Sequence, residues 1–225
     1  MTCEIPNWWR DVSQVRQVPD HQEVFQDCSS SCSNREEQKF DGDSHTGIVG
    51  SRSCIVIEIL ERENAVANEK AASFFWNDLA DANCASAEKA GDRALLKERV
   101  ICLNDEGLKE GKPSADDEMQ MSYHLQKKLK NIPKSYACFC LGKQLVVGAG
   151  MRESDPRAKD MKEWVQIQMC ILRLETIQTD LLISVSTPFL EKENDAEISN
   201  AFHKYSSTFS RAVSTFTVID WSLFA

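Results

Sequence analysis

The apolar and polar positions of the 225-residue chain follow two spacings, one typical of strands and the other of helices. The strongest strand signal is CIVIEILE (54–61), a β-branched apolar run that predicts a central strand covered on both faces. Segments 64–83 and 195–213 carry apolar residues three and four positions apart, which predicts amphipathic helices. In the first of these helices the predicted buried face consists of Ala67, Ala71, Phe74, Phe75 and Leu79.

Strand signals also fill the second half of the chain. YACFCLGKQLVVGAGM (136–151) predicts either two strands or one long bent strand broken at Gly142. Two further apolar runs, 164–174 and 180–188, are joined by the polar connection ETIQT, which predicts an antiparallel hairpin. Residues 94–103 fit a helix that runs into a strand. Strands joined by hairpins, with helices between them, predict an α+β fold whose largely antiparallel sheet is covered by helices.

Two polar segments interrupt this pattern. Residues 28–53 are rich in Ser, Gly, Asp and Glu, which bury too little apolar area to order a segment, so they predict a loop. Residues 104–134 are charged and lysine-rich and contain glycines and prolines, which predicts an exposed insertion. A length of 225 residues fits a single domain, residues 1–225, that carries both insertions.

The overall charge narrows the range of partners. The chain contains 35 Asp and Glu residues against 26 Lys and Arg, which leaves a formal net charge of −9. This charge argues against nucleic acid as a general partner and predicts none, because binding phosphates requires clustered lysines and arginines that release counterions. A basic protein surface is electrostatically the easier partner.

The apolar runs and the N-terminus also bear on location. The longest apolar runs are far shorter than the roughly 20 residues that a membrane-spanning helix needs. The N-terminus, MTCEIPNWWRD, lacks the apolar core of a signal peptide. These features predict a protein of the cytosol or nucleus that does not insert into membranes.

Candidate catalytic and metal-binding residues are sparse. None of the four histidines has a neighbouring Ser or Cys at a spacing typical of a nucleophile and its base. Cys28 with Cys32, and Cys138 with Cys140, form close pairs, but their spacings are unusual for zinc and no histidine lies in a ligand-like register. We therefore predict no catalytic residue, no metal and no cofactor. A thiol or metal enzyme that uses Cys28 and Cys32 stays as an alternative.

Two acids within the strand CIVIEILE are candidate binding residues. Glu58 and Glu61 are three positions apart, so in a regular strand they point to opposite faces unless the strand bulges or ends between them. Glu58 lies between Ile57 and Ile59, where a carboxylate is costly to bury without a partner. One reading is structural: the acids lie on a strand face that reaches water or are satisfied by an internal salt bridge. The other is functional: they form an acidic patch for a basic partner.

The segment VRQVPDHQEVFQDC (15–28) carries a second group of acids. Pro19 restricts its own φ and pushes Val18 towards extended geometry, while Asp20 is well placed to cap the turn that follows. This chemistry predicts a turn that enters a strand at Glu23.

Five segments, in order along the chain, carry a resemblance to a known family. They are IPNWWRDVSQVRQVPDHQEVF (5–25), CIVIEILE (54–61), AASFFWNDL (71–79), ILRLETIQTDLLISVSTP (171–188) and FTVIDWSLFA (216–225). VPDxQEVF and QTDLLISV are the most specific of these pieces. Together they resemble the Ran guanine nucleotide release factor family, the Mog-type nuclear import factors that bind the GTPase Ran.

The resemblance implies a fold, a function and a binding site. The family's fold is an antiparallel sheet between helices, similar to the PsbP subunit of the photosynthetic oxygen-evolving complex. Its members bind Ran in the nucleus and cytoplasm and promote loss of its guanine nucleotide, without acting as enzymes. By motif match the principal partner-binding residues are Glu58 and Glu61, and Asp20 and Glu23 are helpers. A monomer is expected, and a role for a second Ran-binding protein is left open.

Three departures from the family pattern and three alternatives remain. Only four residues precede Ile5, where the family has a further short strand; Glu58 stands where the family has aspartate; and the segments 28–53 and 104–134 are longer than expected.

The alternatives are a Ran-binding or trafficking scaffold without release activity, a photosynthetic member of the wider fold, and the thiol or metal enzyme. The lack of a targeting segment argues against the photosynthetic role.

Overall fold

The structure is a computed structural model that describes residues 1–14, 17–28, 53–83, 93–105, 108, 116–147, 162–189 and 206–221. Within these residues the strands are β1 Trp9–Asp11, β2 Gln22–Asp27, β3 Cys54–Glu61, β4 Arg93–Cys102, β5 Ser135–Val147, β6 Lys162–Leu174 and β7 Thr179–Phe189. They form one seven-stranded sheet, antiparallel throughout, with the order β1-β2-β3-β7-β6-β5-β4. The helices are α1 Asn68–Ala82, α2 Asp117–Leu129 and α3 Ser207–Thr215.

Helices cover both faces of the sheet. Strand residues alternate between the two sides, so the strands contribute apolar side chains to a core on each face. On one face, α1 packs Phe75 and Trp76 against a cluster that includes Cys138 and Ile167. On the other face, α2 and α3 bury a second cluster that includes Phe139. The predicted α+β fold with an α/β/α arrangement is therefore confirmed. Within the described part of the chain, none of the helices is long and apolar enough to cross a membrane.

The predicted hairpin is confirmed. Strands β6 and β7 pair from Trp164 with Phe189 to Leu174 with Thr179. A 3₁₀ turn, Glu175–Ile177, connects them and is followed by a residue in the left-handed region, Gln178, with φ 50°.

Strand β5 is continuous through Gly142, so of the two predicted alternatives the single long strand is the one observed. A Cβ at Gly142 would lie 2.5 Å from the carbonyl oxygen of Ala94 and 2.7 Å from Trp76 Cζ2. The opposing strand shifts register between Leu95 and Lys97, next to this contact. Glycine is required here by the close approach of an indole ring and a neighbouring strand, and not by a break in the sheet.

The prediction of an exposed insertion over 104–134 was wrong for its described part, while residues 106, 107 and 109–115 lie outside the described residues. Helix α2 lies within it and buries Met121, Leu125 and Leu129 against the sheet. Asp116 caps the helix by accepting a hydrogen bond from the N–H of Met119 at 3.3 Å. The four-residue spacing of the buried side chains was masked by the surrounding charged residues.

Other local predictions are corrected in part. Residues 94–103 do not begin as a helix, because β4 starts at Arg93. The buried face of α1 is rotated from the predicted one, since Phe74 is 39% exposed and the helix starts after Ala67. The residues of α1 that are buried are Ala71, Ala72, Phe75, Trp76 and Ala80. Of the predicted loop 28–53 and the predicted helix 195–213, residues 29–52 and 195–205 lie outside the described residues.

The short N-terminal segment pairs with the end of the chain. Thr2 and Thr217 exchange two backbone hydrogen bonds of 2.9 and 2.8 Å as an antiparallel bridge. The N–H of Glu4 donates to Thr215 Oγ1 at 2.8 Å, and its carboxylate accepts from Arg211. The terminal segment FTVIDWSLFA thus contributes an isolated bridge over its described part.

Candidate partner-binding site

The two principal candidate acids lie on opposite faces of the sheet. Strand β3 pairs with β7 without a register shift, from Cys54 opposite Ser186 to Glu61 opposite Thr179. Since the strand neither bulges nor ends between Glu58 and Glu61, the alternation of side chains holds, as predicted. Leu60 packs on the α1 side, which is also the side of Glu58. The two carboxylates therefore cannot form a side-by-side pair.

Glu58 has a partner that the sequence did not reveal. It is half-buried and lies opposite Gln22 in the β2–β3 ladder, and the side-chain amide Nε2 of Gln22 donates a hydrogen bond to Glu58 Oε1. An amide therefore provides the hydrogen bond that a carboxylate between two isoleucines needs. The suggested internal salt bridge does not form within the described residues.

Glu61 is exposed at the end of β3, where strand β2 no longer covers the edge. The last ladder bond runs from the N–H of Ile59 to the carbonyl of His21 at 2.9 Å. Continuing this register places Pro19 opposite Glu61, but proline has no N–H to donate. The carbonyl of Pro19 instead accepts the N–H of Gln22 at 2.9 Å. The predicted turn is therefore confirmed, and it leaves the end of β3 at the sheet edge.

The two helper acids occupy different positions. Asp20 is exposed within the turn. Glu23 is exposed on β2, opposite Ile57 and thus on the α2/α3 side, where its charge acts on Cys3. Burial and, to a smaller extent, the charge of Glu23 raise the pKa of the Cys3 thiol to about 11, against the opposing charge of Lys128.

The four candidate acids therefore flank one end of the β2–β3 pair and do not form one cluster. Glu58 lies on the α1 side, Glu23 and Glu61 lie on the other side, and Asp20 lies in the connecting turn. A partner that touches all of them has to contact this edge of the sheet from both faces.

A buried ion pair holds the loop that follows Glu61. Arg173 Nε donates to Asp180 Oδ1 at 3.2 Å, and both side chains are 0% exposed. The same guanidinium donates to the carbonyls of Glu63 and Val66, both at 2.6 Å. Asp180 Oδ2 accepts the N–H of Glu63 at 3.1 Å. These four bonds tie the β3–α1 loop to the β6–β7 hairpin directly behind Glu61.

A second polar network joins the same elements nearer the surface. Arg62 Nη2 donates to Glu175 Oε1 at 3.2 Å and to Asn68 Oδ1 at 3.3 Å. Asn68 Nδ2 donates to the same Glu175 oxygen at 3.1 Å. The loop, the start of α1 and the hairpin are therefore fixed relative to one another.

Sequence reasoning missed these supporting residues. Arg173 and Asp180 lie in segments that identify the family, yet no role was assigned to either. A usable signal was present, because two opposite charges within apolar runs, on strands joined by a short hairpin, are tolerated in a core only when paired.

Metal and thiol chemistry find no support in the described residues. They contain no group of three or more His, Cys, Asp or Glu side chains placed to hold a metal ion. Burial raises the pKa of the Cys138, Cys140 and Cys170 thiols, so these groups are poor nucleophiles. The alternative site at Cys28 and Cys32 cannot be placed, because Cys32 lies outside the described residues.

Solved structures share this architecture. The Ran-binding protein Mog1p of Saccharomyces cerevisiae superposes with a TM-score of 0.57 at 22% identity, over 99% of this chain and 92% of that chain. A mutant of the protein Mog1 gives a TM-score of 0.53 at 20% identity, over 98% and 91% of the two chains. At these identities the likeness shows the fold.

Sequence comparison gives the family. A curated relative from Danio rerio, named Ran guanine nucleotide release factor, is 25% identical over 188 residues, which span 84% of this chain and 73% of the relative. The profile of the family described as Ran-interacting Mog1 protein matches residues 1–188, and so covers every element that builds the β2–β3 edge and its supporting networks. The chain therefore belongs to the Ran-interacting Mog1 protein family.

Proposed function

We propose that this protein binds the small GTPase Ran and promotes release of its bound guanine nucleotide, in support of nucleocytoplasmic protein transport. The observation that carries the proposal is the position of Glu61, an exposed carboxylate at an uncovered strand end, next to a loop that a buried ion pair holds. Membership of a family described as Ran-interacting, and a relative named as a release factor, support the choice of partner.

The geometry favours a partner that grips the sheet edge. Glu61 and Glu23 face one side, and Glu58 faces the other, held in place by Gln22. A basic surface that straddles the end of β3 can reach all three carboxylates. The net charge of −9 assists the encounter with such a surface.

Release requires that binding favour one state of the GTPase. Small GTPases hold their nucleotide through a phosphate-binding loop, its lysine and Mg²⁺. A regulator that binds the nucleotide-poor conformer more tightly shifts the population towards it and thereby increases nucleotide dissociation. The protein makes and breaks no covalent bond in this scheme, so it is a regulator and not an enzyme.

The test is the exchange of labelled guanine nucleotide from purified Ran, together with the affinity for Ran loaded with GDP, loaded with GTP or stripped of nucleotide. We expect Glu61→Gln to weaken binding about tenfold, or ~1.4 kcal/mol, and to slow exchange in parallel. Glu58→Gln should act in the same direction. Glu98→Gln is the matched control, because Glu98 is exposed on β4 at the far edge of the sheet. Equal affinity and exchange in all variants would remove these acids from the site.

A Ran-binding or trafficking scaffold is the second candidate. It would bind Ran with the same dependence on Glu61 but leave the rate of nucleotide dissociation unchanged, so the exchange assay separates the two functions. We further propose a monomer in the nucleus and cytoplasm, and sedimentation and imaging of the tagged protein test these points. Repeating the exchange assay with a second Ran-binding protein present tests whether one acts alongside.

A further inference from the structure

A polar depression lies beside Glu61, where the β3–α1 loop, the α2–β5 turn and the β6–β7 hairpin meet. It encloses about 280 Å³ and is open to solvent. We name it the hairpin depression. The residues that line it are Arg62, Asn64, Lys134, Glu175, Thr176 and Gln178.

Arg62 places a largely buried guanidinium at the depression. Its side chain is only 9% exposed, and its Nη2 is engaged by Glu175 and Asn68. The other terminal nitrogen, Nη1, is buried and has no hydrogen-bond partner among the described residues. Nη1 has almost no accessible surface, so Arg62 acts on a ligand in the depression through its positive charge and not by donating from this atom.

Lys134 adds a second positive charge. It is exposed and makes no ion pair within the described part of the chain. Its backbone is left-handed, with φ 54°, and Gln178 across the depression has φ 50°. These are the two non-glycine residues with positive φ among those described, and both line the depression. Such a conformation costs about 1–2 kcal/mol per residue and recurs at ligand-binding sites.

The balance of charges selects the ligand. The lining residues include two cations, Arg62 and Lys134, and one carboxylate, Glu175, which already accepts from Arg62 and Asn68. One net positive charge matches a monoanion, and Glu175 repels a dianion such as phosphate. A carboxylate also fits the exposed ammonium group of Lys134 as a charge-assisted acceptor, beside the positive charge of Arg62.

We propose that the hairpin depression is a subsite for a carboxylate side chain of the protein partner. The inference rests on the proposed function, because the subsite would contact the same partner as the acidic edge around Glu61. The partner then presents a basic side chain to Glu61 and an acidic one to Arg62 and Lys134. Alternating charges of this kind set the register of docking and exclude partners with a uniformly basic surface.

The subsite is tested first without the GTPase. The full chain is titrated with N-acetylglutamic acid amide, whose only charge is a side-chain carboxylate, and separately with inorganic phosphate, while backbone amide signals are followed by NMR. We expect saturable shifts at Lys134 and Gln178 with the carboxylate, lost in Lys134→Gln and kept in Lys130→Gln. Lys130 is an exposed lysine at the end of α2 that does not line the depression. No saturable shift, equal shifts in both variants, or shifts with phosphate alone would overturn the proposal.

Affinity for Ran then separates the two hypotheses. We expect Lys134→Gln to weaken Ran binding about tenfold, and Lys130→Gln to change it less than about twofold. If the wild-type chain fails to bind Ran, the proposed function fails, and the carboxylate titration alone still decides the subsite. If the wild type binds Ran and Glu61→Gln weakens it while Lys134→Gln does not, the function stands and the subsite is refuted.

Discussion

Arg173 and Asp180 face each other across the β6–β7 hairpin with both side chains wholly buried, Nε lying 3.2 Å from Oδ1. Together they bind the backbone of the β3–α1 loop at Glu63 and Val66. The pair is therefore the link between the sheet core and the loop that follows Glu61. The pair matters for stability because removing either side chain would leave the other charge buried, with no water to solvate it.

The first prediction concerns the stability of this pair. Asp180→Asn and Arg173→Met should each lower the free energy of unfolding by roughly 3–5 kcal/mol, because each leaves an uncompensated charge or unpaired backbone groups. Urea denaturation at pH 7 measures the change. Arg211→Met is the control, since the Arg211–Glu4 pair is 66% and 60% exposed and should contribute less than about 1 kcal/mol. Equal effects of buried and exposed substitutions would contradict the assigned role.

The second prediction concerns the glycine beneath Trp76. Gly142→Ala should destabilise the protein by at least ~1–3 kcal/mol, because the added methyl meets both the indole ring and the carbonyl of Ala94. Thermal unfolding followed by near-ultraviolet circular dichroism measures the loss. Adding Trp76→Phe should not restore stability, since the contact with the Ala94 carbonyl is backbone and stays. Full rescue by Trp76→Phe would show that the strand gives way and only the ring matters.

The third prediction concerns acid stability. Burial would raise the pKa of Asp116, but the Arg99 guanidinium at 2.6 Å and the N–H of Met119 hold it below its ordinary value of 3.8. A carboxyl with a lowered pKa in the folded state stabilises the protein above the unfolded pKa, and this stabilisation is lost as pH falls through the folded pKa. Asp116→Asn should therefore cost about 1 kcal/mol at pH 7 and flatten the loss of stability below pH 4.

Chemical denaturation between pH 7 and pH 2 measures this dependence. Asp117→Asn is the control, because Asp117 is the exposed neighbour and makes neither contact. An unchanged pH profile in Asp116→Asn would show that the Arg99 contact does not persist in solution.

The fourth prediction concerns the thiols. Burial raises the pKa of Cys138 to about 12 and also raises those of Cys140 and Cys170. At pH 8 the thiolate fraction of Cys138 should be roughly a thousandfold below that of an ordinary cysteine, with slower alkylation in proportion. Mass spectrometry of peptides after brief iodoacetamide treatment, with and without urea, measures the protection. Rapid modification of these three cysteines in the native protein would contradict the packing of β5 and β6.

The fifth prediction concerns the Gln22–Glu58 hydrogen bond. If the amide of Gln22 orients Glu58 for a partner, Gln22→Ala should weaken Ran binding about threefold, and should have no further effect in the Glu58→Gln background. Calorimetric titration of the single and double variants forms the cycle. Strictly additive effects would show that the hydrogen bond serves the fold alone.

Local patterns in the sequence predicted much of the sheet and little of its support. The hairpin 164–174 and 180–188 and the strand of residues 54–61 follow from apolar runs and short polar connections, which act over neighbouring positions. Helix α2 was not predicted, because Met121, Leu125 and Leu129 lie in a segment dominated by charged residues. The separation of Glu58 and Glu61 onto opposite faces was predictable, because strand alternation depends only on the number of residues between them.

The sequence by itself determined the fold class, the family resemblance and the two acids, since each depends on residues close together in the chain or on a matched motif. Only the tertiary structure decided what supports them. Strand register pairs Arg173 with Asp180 and Gln22 with Glu58. The packing of three connections brings Arg62 and Lys134 to one depression. No spacing along the chain encodes those distances, because they arise from contacts between segments that only the folded sheet brings together.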